Sequence, residues 1–445
     1  MRRIAPQLGA SDPGQEDPLE ANGLLYDWNH GPPDGQRLSA PPGHLAQAVV
    51  LDETLRDGIQ SPSAIDPTLE QKIELLHLMD ALGIYQVDLG LPGAGAHQRA
   101  AIERLCTEIR DARLSIKANV ACRTVVSDIE PVAGLVQKTG VPLEVYAFIG
   151  SSPIRQYAEE WDVAFIEKQS VDAIKVAVSQ GLSVTYVTED TTRSRPDQLK
   201  RLFTSAIEAG ARRLCLCDTV GHATIAGTIA LVDWTMALVK ETGLEIGIDW
   251  HGHNDRGLAL ANALAAGVTG ATRLHGCAAG IGERVGNTAT DQLLANLKLH
   301  GHPIYGPRDM SRLVEYTLKA AEATGYALPV NYPLVGRDAF RTATGVHAAA
   351  IIKAQKKGDR WLADRIYSGV PAGEFGKRQE IEVGPMSGLS NVKHWMERHQ
   401  LSADAALAGA VLARAKGVNR TLTDAEVAAI VSELGGAAPA EAGVK

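Results

Sequence analysis

Asp249-Trp-His-Gly-His-Asn-Asp-Arg-Gly257 closes an apolar run, Leu244, Ile246 and Ile248, in which every second residue is hydrophobic. Alternation of this kind reads as a β-strand with one buried face. Side chains two apart on a strand leave by the same face, so His251 and His253 present their imidazoles side by side, with Asn254 and Asp255 directly after them. Two imidazoles at one strand end are what a divalent cation takes from a strand. The pair alone is equally the mark of a buried hydrogen-bonded couple, and only the rest of the chain separates the two readings.

Seven more strand-like runs accompany this one: Ala48–Leu51, Gln86–Leu89, Ser115–Val120, Leu143–Ile149, Ser183–Val187, Arg212–Leu216 and Thr272–His275, with Glu245–Trp250 as the seventh in order. Helical patterns lie between them. Leu69–Leu82 is opened by Asp66 as cap and Pro67 in the first turn, and Ala100–Asp111, Val171–Ser179, Asp197–Ala209, Thr224–Glu241 and Gly257–Ala266 follow. Gly83, Gly181, Gly210, Gly243 and Gly267 read as helix stops. Eight strands alternating with helices over roughly 250 residues have the size and rhythm of a (β/α)₈ TIM barrel. An open doubly wound sheet is the alternative, but it usually carries Gly-x-Gly-x-x-Gly after the first strand, where this chain has Asp52-Glu-Thr-Leu-Arg-Asp-Gly58.

The expected organisation is a mostly irregular arm over residues 1–46, with one apolar island at Asn22–Asn29, a barrel over 47–302 and an α-rich appendage over 303–445. Helices are expected in the appendage at Asp309–Thr324, Val392–His399, Ala403–Lys416 with Ser402 before it, and Asp424–Leu434. Thr423 and Glu426 are spaced as a capping box for the last, and the Ala/Gly-rich tail at 435–445 reads as frayed.

A hydrophobic content of 45% with 22% charged residues fits a globular enzyme. The net charge of −8 argues against nucleic acid or an anionic membrane as partner. No apolar run is long enough to span a bilayer, and the start of the chain resembles no targeting segment. Five scattered cysteines form no disulfide framework, so a reducing cytoplasm is expected. Cys215 and Cys217 read as small buried hydrophobes.

In a closed barrel the first strand neighbours the eighth, and functional groups sit at the carboxyl ends of strands. Strand one runs into Asp52–Gln60, strand seven ends in His251-Gly-His253, and strand eight leads to Gly280-Ile-Gly-Glu-Arg-Val-Gly-Asn287. Asp57, His251, His253 and Asn287 can therefore form a shell of two nitrogens and two oxygens with two positions open. Zn²⁺, Mn²⁺ and Mg²⁺ all suit such a set. Alone, Asp57 would read as a turn-capping carboxylate and Asn287 as a helix cap; together on one rim they favour the metal.

The set Thr-Leu-Arg-Asp-Gly, His-Gly-His-Asn-Asp and Gly-Ile-Gly-Glu-Arg-x-Gly-Asn resembles the metal-dependent barrel family of 2-isopropylmalate, homocitrate and citramalate synthases and 3-hydroxy-3-methylglutaryl-CoA lyase. The resemblance runs from about 48 to 390 and includes Thr188–Arg193, Cys217–Gly221 and Gly345-Val-His347. It implies a cation that polarises the ketone of a 2-oxo acid, acetyl-CoA as co-substrate, and Arg56 as the group facing the developing alkoxide. It also implies substrate contacts from Gln60 and Thr219, a catalytic role for Glu189 at the oxo acid and the reacting methyl, and proton chemistry from His347 and Tyr367 reaching across a homodimer; Asn119 and Arg123 are expected to bind substrate as well. Alone, His347 reads as a helix-surface histidine. Arg123, after strand three, is expected to point inward, with a surface salt bridge as its bland alternative.

Departures from the family refine the expectation. Asn119 stands where homocitrate synthases place a histidine for a distal carboxylate, Val187 replaces a serine, Asp88 replaces a glutamate, and Ala348-Ala-Ala follows His347. A leucine-sensing domain is not expected. Cys277 is followed by Ala-Ala and an intact Gly-Glu-Arg segment, unlike the lyases. The expectation is therefore an acyltransferase condensing acetyl-CoA with a short apolar 2-oxo acid, the 2-isopropylmalate synthase reaction first. Homocitrate or citramalate synthesis, lyase- or aldolase-type cleavage and a non-catalytic binding barrel are the alternatives; a biotin-linked carboxyltransferase is disfavoured for want of Met-Lys-Met.

Overall fold

The structure is a computed structural model that describes residues 44–436. Nearly all of the expected N-terminal arm, including Asn22–Asn29, and most of the Ala/Gly-rich tail lie outside the described residues. The eight strands are all present: β1 Val49–Asp52, β2 Gln86–Asp88, β3 Lys117–Arg123, β4 Leu143–Gly150, β5 Ser183–Glu189, β6 Arg213–Asp218, β7 Gly247–Gly252 and β8 Arg273–Gly276. They form a closed parallel barrel in sequence order, β1 pairing β8 with Val49 opposite Arg273 and Asp52 opposite Gly276. The (β/α)₈ expectation is met, with helices between the strands and further helices after them. Closure in this order brings the ends of β1, β7 and β8 together.

The helix ends differ from expectation more than the strands do. Helix Leu69–Ala81 is capped by Thr68, whose hydroxyl accepts from Gln71 N while the Gln71 side chain accepts from Thr68 N. Asp66, the expected cap, pairs instead with Lys72 at 2.6 Å. Val171–Ser179 is the second half of a helix that starts at Val163 behind Asp162. Gly267 does not stop its helix: it lies inside Ala259–Thr269, which ends at Gly270. A Cβ on Gly267 would come within 2.8 Å of Leu45 and 3.1 Å of Leu274, so this glycine serves close packing against β8. Helix Val126–Thr139, with Pro131 inside it, escaped the pattern altogether.

Beneath the mouth the barrel is filled by a buried polar layer. Asp249 receives Arg213 at 2.6 Å, Tyr146 at 2.7 Å and His275 at 3.2 Å. Arg273 reaches Glu144 at 3.1 Å and also bonds Tyr146. Burial opposes the Asp249 charge, but Arg213, Arg273 and His275 outweigh it and hold the carboxyl well below the usual range. Such a layer is costly to break on one side only, because a lone buried charge remains. Gln86 donates into it, to Asn119 at 3.1 Å and Glu144 at 3.0 Å.

Among the described residues, 44–308 with Ala323–Tyr326 form one compact unit; Asp309–Glu322 and residues 327–436 form a second. The second is α-rich, with helices at Gly345–Lys356, Arg360–Arg365, Leu389–Arg398, Ala405–Lys416 and Asp424–Glu433, and a two-stranded ladder of Arg341–Thr342 with Glu380–Ile381. Its core gathers Val392, Trp395, Met396, Val411, Val427 and Val431. Asp404 rather than Ser402 caps Ala405–Lys416, while the Thr423–Glu426 capping box forms as expected.

Candidate active site

β7 delivers both histidines. His251 is the last side chain of the strand before Gly252, and His253 follows in an isolated bridge to Asn287. Their rings stand 5.1 Å apart. Asp57 enters from the turn after β1, with Oδ2 3.4 Å from His251 Nε2 and 3.7 Å from His253 Nε2. All three are buried. Three donor atoms this close, with no hydrogen bond between them that satisfies them all, make a place for a cation.

Asn287 completes the set through its loop. Backbone bonds from Asn254 N to Gly286 O and from Thr288 N to Gly252 O tie the loop after β8 to the end of β7. Gly286 (φ +93°) is needed there because a Cβ would fall 1.8 Å from Gly280 O, and Gly282 (φ +152°) because one would fall 2.2 Å from Asn287 Nδ2. Arg284 clamps the loop from outside, donating to both Asp255 oxygens and to Thr219 O. Asn287 Nδ2 donates to Ile281 O and Cys277 Sγ at 3.3 Å. That leaves Asn287 Oδ1, a buried acceptor, with no partner among the described residues. An orphaned buried oxygen is costly, and on a residue bridged through the backbone to His253 it fits a metal ligand. The residues present therefore suit a divalent cation.

Around this set lies a cavity of about 170 Å³ lined by Arg56, Asp57, Gln60, Glu189, Thr219, His251 and His253, among others. Arg56 Nε donates to Asp88 at 2.9 Å, its Nη2 to Glu53 at 2.5 Å, and Nη1 stands 3.4 Å from Asp57. Glu189 ends β5, and burial pushes its carboxyl up, with Arg155 and Arg56 opposing. The Thr219 hydroxyl accepts from Asp190 N at 2.8 Å. The remaining wall is mostly apolar, with Leu91, Ala121, Phe148, Val187, Cys215 and Cys217; Glu53, Glu283, Tyr146 and His275 are its polar members.

The electrostatics divide the two histidines. Burial works against the charge on His251, but Glu53 beside it prevails and pushes the imidazole up to about 9. Burial, then the charge of His251, takes His253 down to about 4. His253 therefore keeps an uncharged ring at neutral pH.

Two sequence expectations are not met. Asn119 is buried below the cavity, accepting from Gln86, and the β3 residue that lines the cavity is Ala121. Arg123 turns outward into a bidentate pair with Asp128 at 2.8 and 2.9 Å and is 62% exposed; the salt-bridge alternative describes it. His347 and Tyr367 belong to the second unit. Both are exposed, and their rings stack at 4.1 Å.

Sequence reasoning missed Glu53, which touches both Arg56 and His251, and the floor residues Tyr146 and His275. Period-two spacing could have found Glu53: it lies just beyond Leu51 on the buried face.

Gathering polar donors and an apolar wall at the carboxyl end of the strands is the architecture of (β/α)₈-barrel enzymes, and the fold and mouth together define one. The chain belongs to the HMGL-like family, whose model matches residues 47–318. It is 31% identical over 397 residues to homocitrate synthase AksA from Methanopyrus kandleri, spanning 86% of this chain and 92% of that protein. It is also 31% identical over 357 residues to 2-isopropylmalate synthase from Sulfolobus acidocaldarius, spanning 80% and 86%. Among solved structures, the HMG-CoA lyase from Bacillus subtilis aligns with a TM-score of 0.53 at 19% identity, over 65% of this chain and 96% of that one. That likeness is one of fold.

Proposed function

We propose that the protein is a metal-dependent condensing enzyme that joins the methyl carbon of acetyl-CoA to the ketone carbon of a short apolar 2-oxo acid and then hydrolyses the thioester. The favoured reaction is that of 2-isopropylmalate synthase. The observation that carries this reading is the cluster of Asp57, His251 and His253 with Arg56 on the same rim, and Asn287, its side-chain oxygen orphaned, bridged to His253. A Zn²⁺, Mn²⁺ or Mg²⁺ ion held by these four would supply Lewis-acid polarisation of the ketone.

The chain's own residues do the rest. Arg56 stays charged and offers a planar fork, which suits an oxygen that gains negative charge during carbon–carbon bond formation. Gln60 and Thr219 bind and orient the acceptor. Glu189, held towards its protonated form by burial, exchanges a proton at the reacting end of the cavity. His347 and Tyr367, exposed and stacked, fit groups that complete a neighbouring subunit's site in a cytoplasmic homodimer and take part in proton removal from the thioester methyl.

The wall supports an apolar acceptor. Val187, Phe148, Ala121 and Leu91 offer nothing to a second carboxylate, and His275 at the floor already faces Glu53 at 3.3 Å and Asp249 at 3.2 Å. Condensation is favoured over lyase chemistry because Cys277 does not line the cavity: it is fully buried and accepts from Asn287. A panel of 2-oxo acids with acetyl-CoA and Mn²⁺ or Mg²⁺, read by release of free thiol, tests the reading. Turnover is expected with branched or short aliphatic acceptors; preference for 2-oxoglutarate would overturn the apolar pocket, and thiol release with no acceptor would overturn condensation.

A further inference from the structure

Glu53 occupies a position the proposed chemistry does not use. Its carboxylate is buried, with 2% of the side chain exposed, and its two oxygens are divided between different neighbours. Oε2 lies 2.6 Å from His251 Nδ1. Oε1 accepts from Arg56 Nη2 at 2.5 Å and makes an ionic contact with His275 Nδ1 at 3.3 Å.

A carboxylate can only accept, so the proton between Glu53 and His251 resides on Nδ1. That leaves Nε2 as the imidazole atom directed at Asp57, 3.4 Å away. His253 has no such support among the described residues, where its Nδ1 is buried without a partner. Of the two imidazoles only His251 is held from behind, by the same carboxylate that holds Arg56. Asp88 fixes the Nε edge of the guanidinium at 2.9 Å, and Glu53 fixes an Nη2 hydrogen, so the fork is clamped on two sides.

We infer that Glu53 is a positioning residue that couples the metal ligand His251 to the guanidinium of Arg56, so that one buried carboxylate sets both the ligand's tautomer and the direction of the cation facing the acceptor. The inference rests on the metal site of the proposed function. It assigns Glu53 two separable effects: cation affinity through His251, and turnover through Arg56. Outer partners of metal-bound histidines govern affinity by about 10–100-fold.

Mn²⁺ binding measured by electron paramagnetic resonance on wild type, Glu53→Gln and Arg56→Lys, with kcat on the same proteins and the double variant, separates these effects. The amide of Glu53→Gln has one accepting oxygen and cannot serve both neighbours. Its Mn²⁺ affinity is expected to fall about tenfold or more, with or without Arg56. Its loss of kcat is expected to shrink to less than about threefold on the Arg56→Lys background, because the fork through which it acts is gone. Glu53→Asp, which keeps the charge inside the cluster but withdraws the oxygens by one methylene, covers the case in which the amide fails to fold, and should weaken Mn²⁺ by about tenfold.

Unchanged Mn²⁺ affinity in the folded variants together with additive kcat losses would overturn the coupling and leave the metal site standing. Failure of the wild type to bind Mn²⁺ would sink the metal site, and this inference with it.

Discussion

Replacing Arg56 by lysine is the perturbation for which the structure gives the most definite outcome. The guanidinium makes three directed contacts, to Glu53 at 2.5 Å, Asp88 at 2.9 Å and Asp57 at 3.4 Å, and its side chain is 17% exposed at the cavity wall. A lysine ammonium carries the same charge on one nitrogen at the end of a flexible stem. It can satisfy one carboxylate of the three at full strength, so the acceptor-facing direction is lost while the charge remains. Removing a preorganised donor from a developing oxyanion costs about 2.7–4 kcal/mol, or roughly 10²–10³ in kcat. A thiol-release assay at saturating acetyl-CoA and acceptor should show a loss of that order in kcat. The Mn²⁺ dissociation constant should change by less than about threefold, since Arg56 is not a ligand. Turnover within about threefold of wild type would refute the assignment, and so would loss of metal binding in a folded protein.

Asp88 provides a test by pH. Burial raises its carboxyl to about 6, against the pull of Arg56. An acid with a raised folded value binds its proton more tightly in the folded state. Stability from this group therefore grows as pH falls from 6 and is lost again as pH rises through 6. Urea unfolding of the metal-free protein should show wild type losing stability relative to Asp88→Asn between about pH 4 and 6, with a constant difference above; a constant difference throughout would contradict the reading. The cross-subunit role of His347 is checked by co-expressing His347→Ala with Asp57→Ala. Each homodimer should be inactive, while random mixing should restore about one quarter of wild-type activity through one intact site per mixed dimer; no recovery in a verified mixed dimer would remove His347 from the partner's site.

The barrel was legible because its strands are apolar runs of regular spacing, and every one of the eight was found within a few residues. Period two and closure of β1 on β8 were enough to bring Asp57, His251, His253 and Asn287 to one rim. Helix ends were harder, since Thr68, Asp404 and Gly267 each compete with a neighbour of similar propensity, and only packing or hydrogen-bond geometry chooses between them. Asn119 and Arg123 depart from expectation for a related reason. Strand phase tells which face a side chain takes, but not its depth in the barrel, and β3 lines the cavity with Ala121 two residues above Asn119. Arg123 is drawn outward by Asp128, which comes from the start of a helix the sequence pattern did not announce. The polar floor of Asp249, Arg273, Tyr146 and His275 comes from three different strands and exists only once the sheet has closed.

The central claim is that three rim segments far apart in the chain grip one cation. Anomalous diffraction at the manganese edge from crystals soaked in Mn²⁺ measures it directly. One peak is expected at about 2.0–2.3 Å from Asp57 Oδ2, His251 Nε2, His253 Nε2 and Asn287 Oδ1, the distances usual for such donors. No peak there, or a peak that excludes Asn287 or either imidazole, would contradict it.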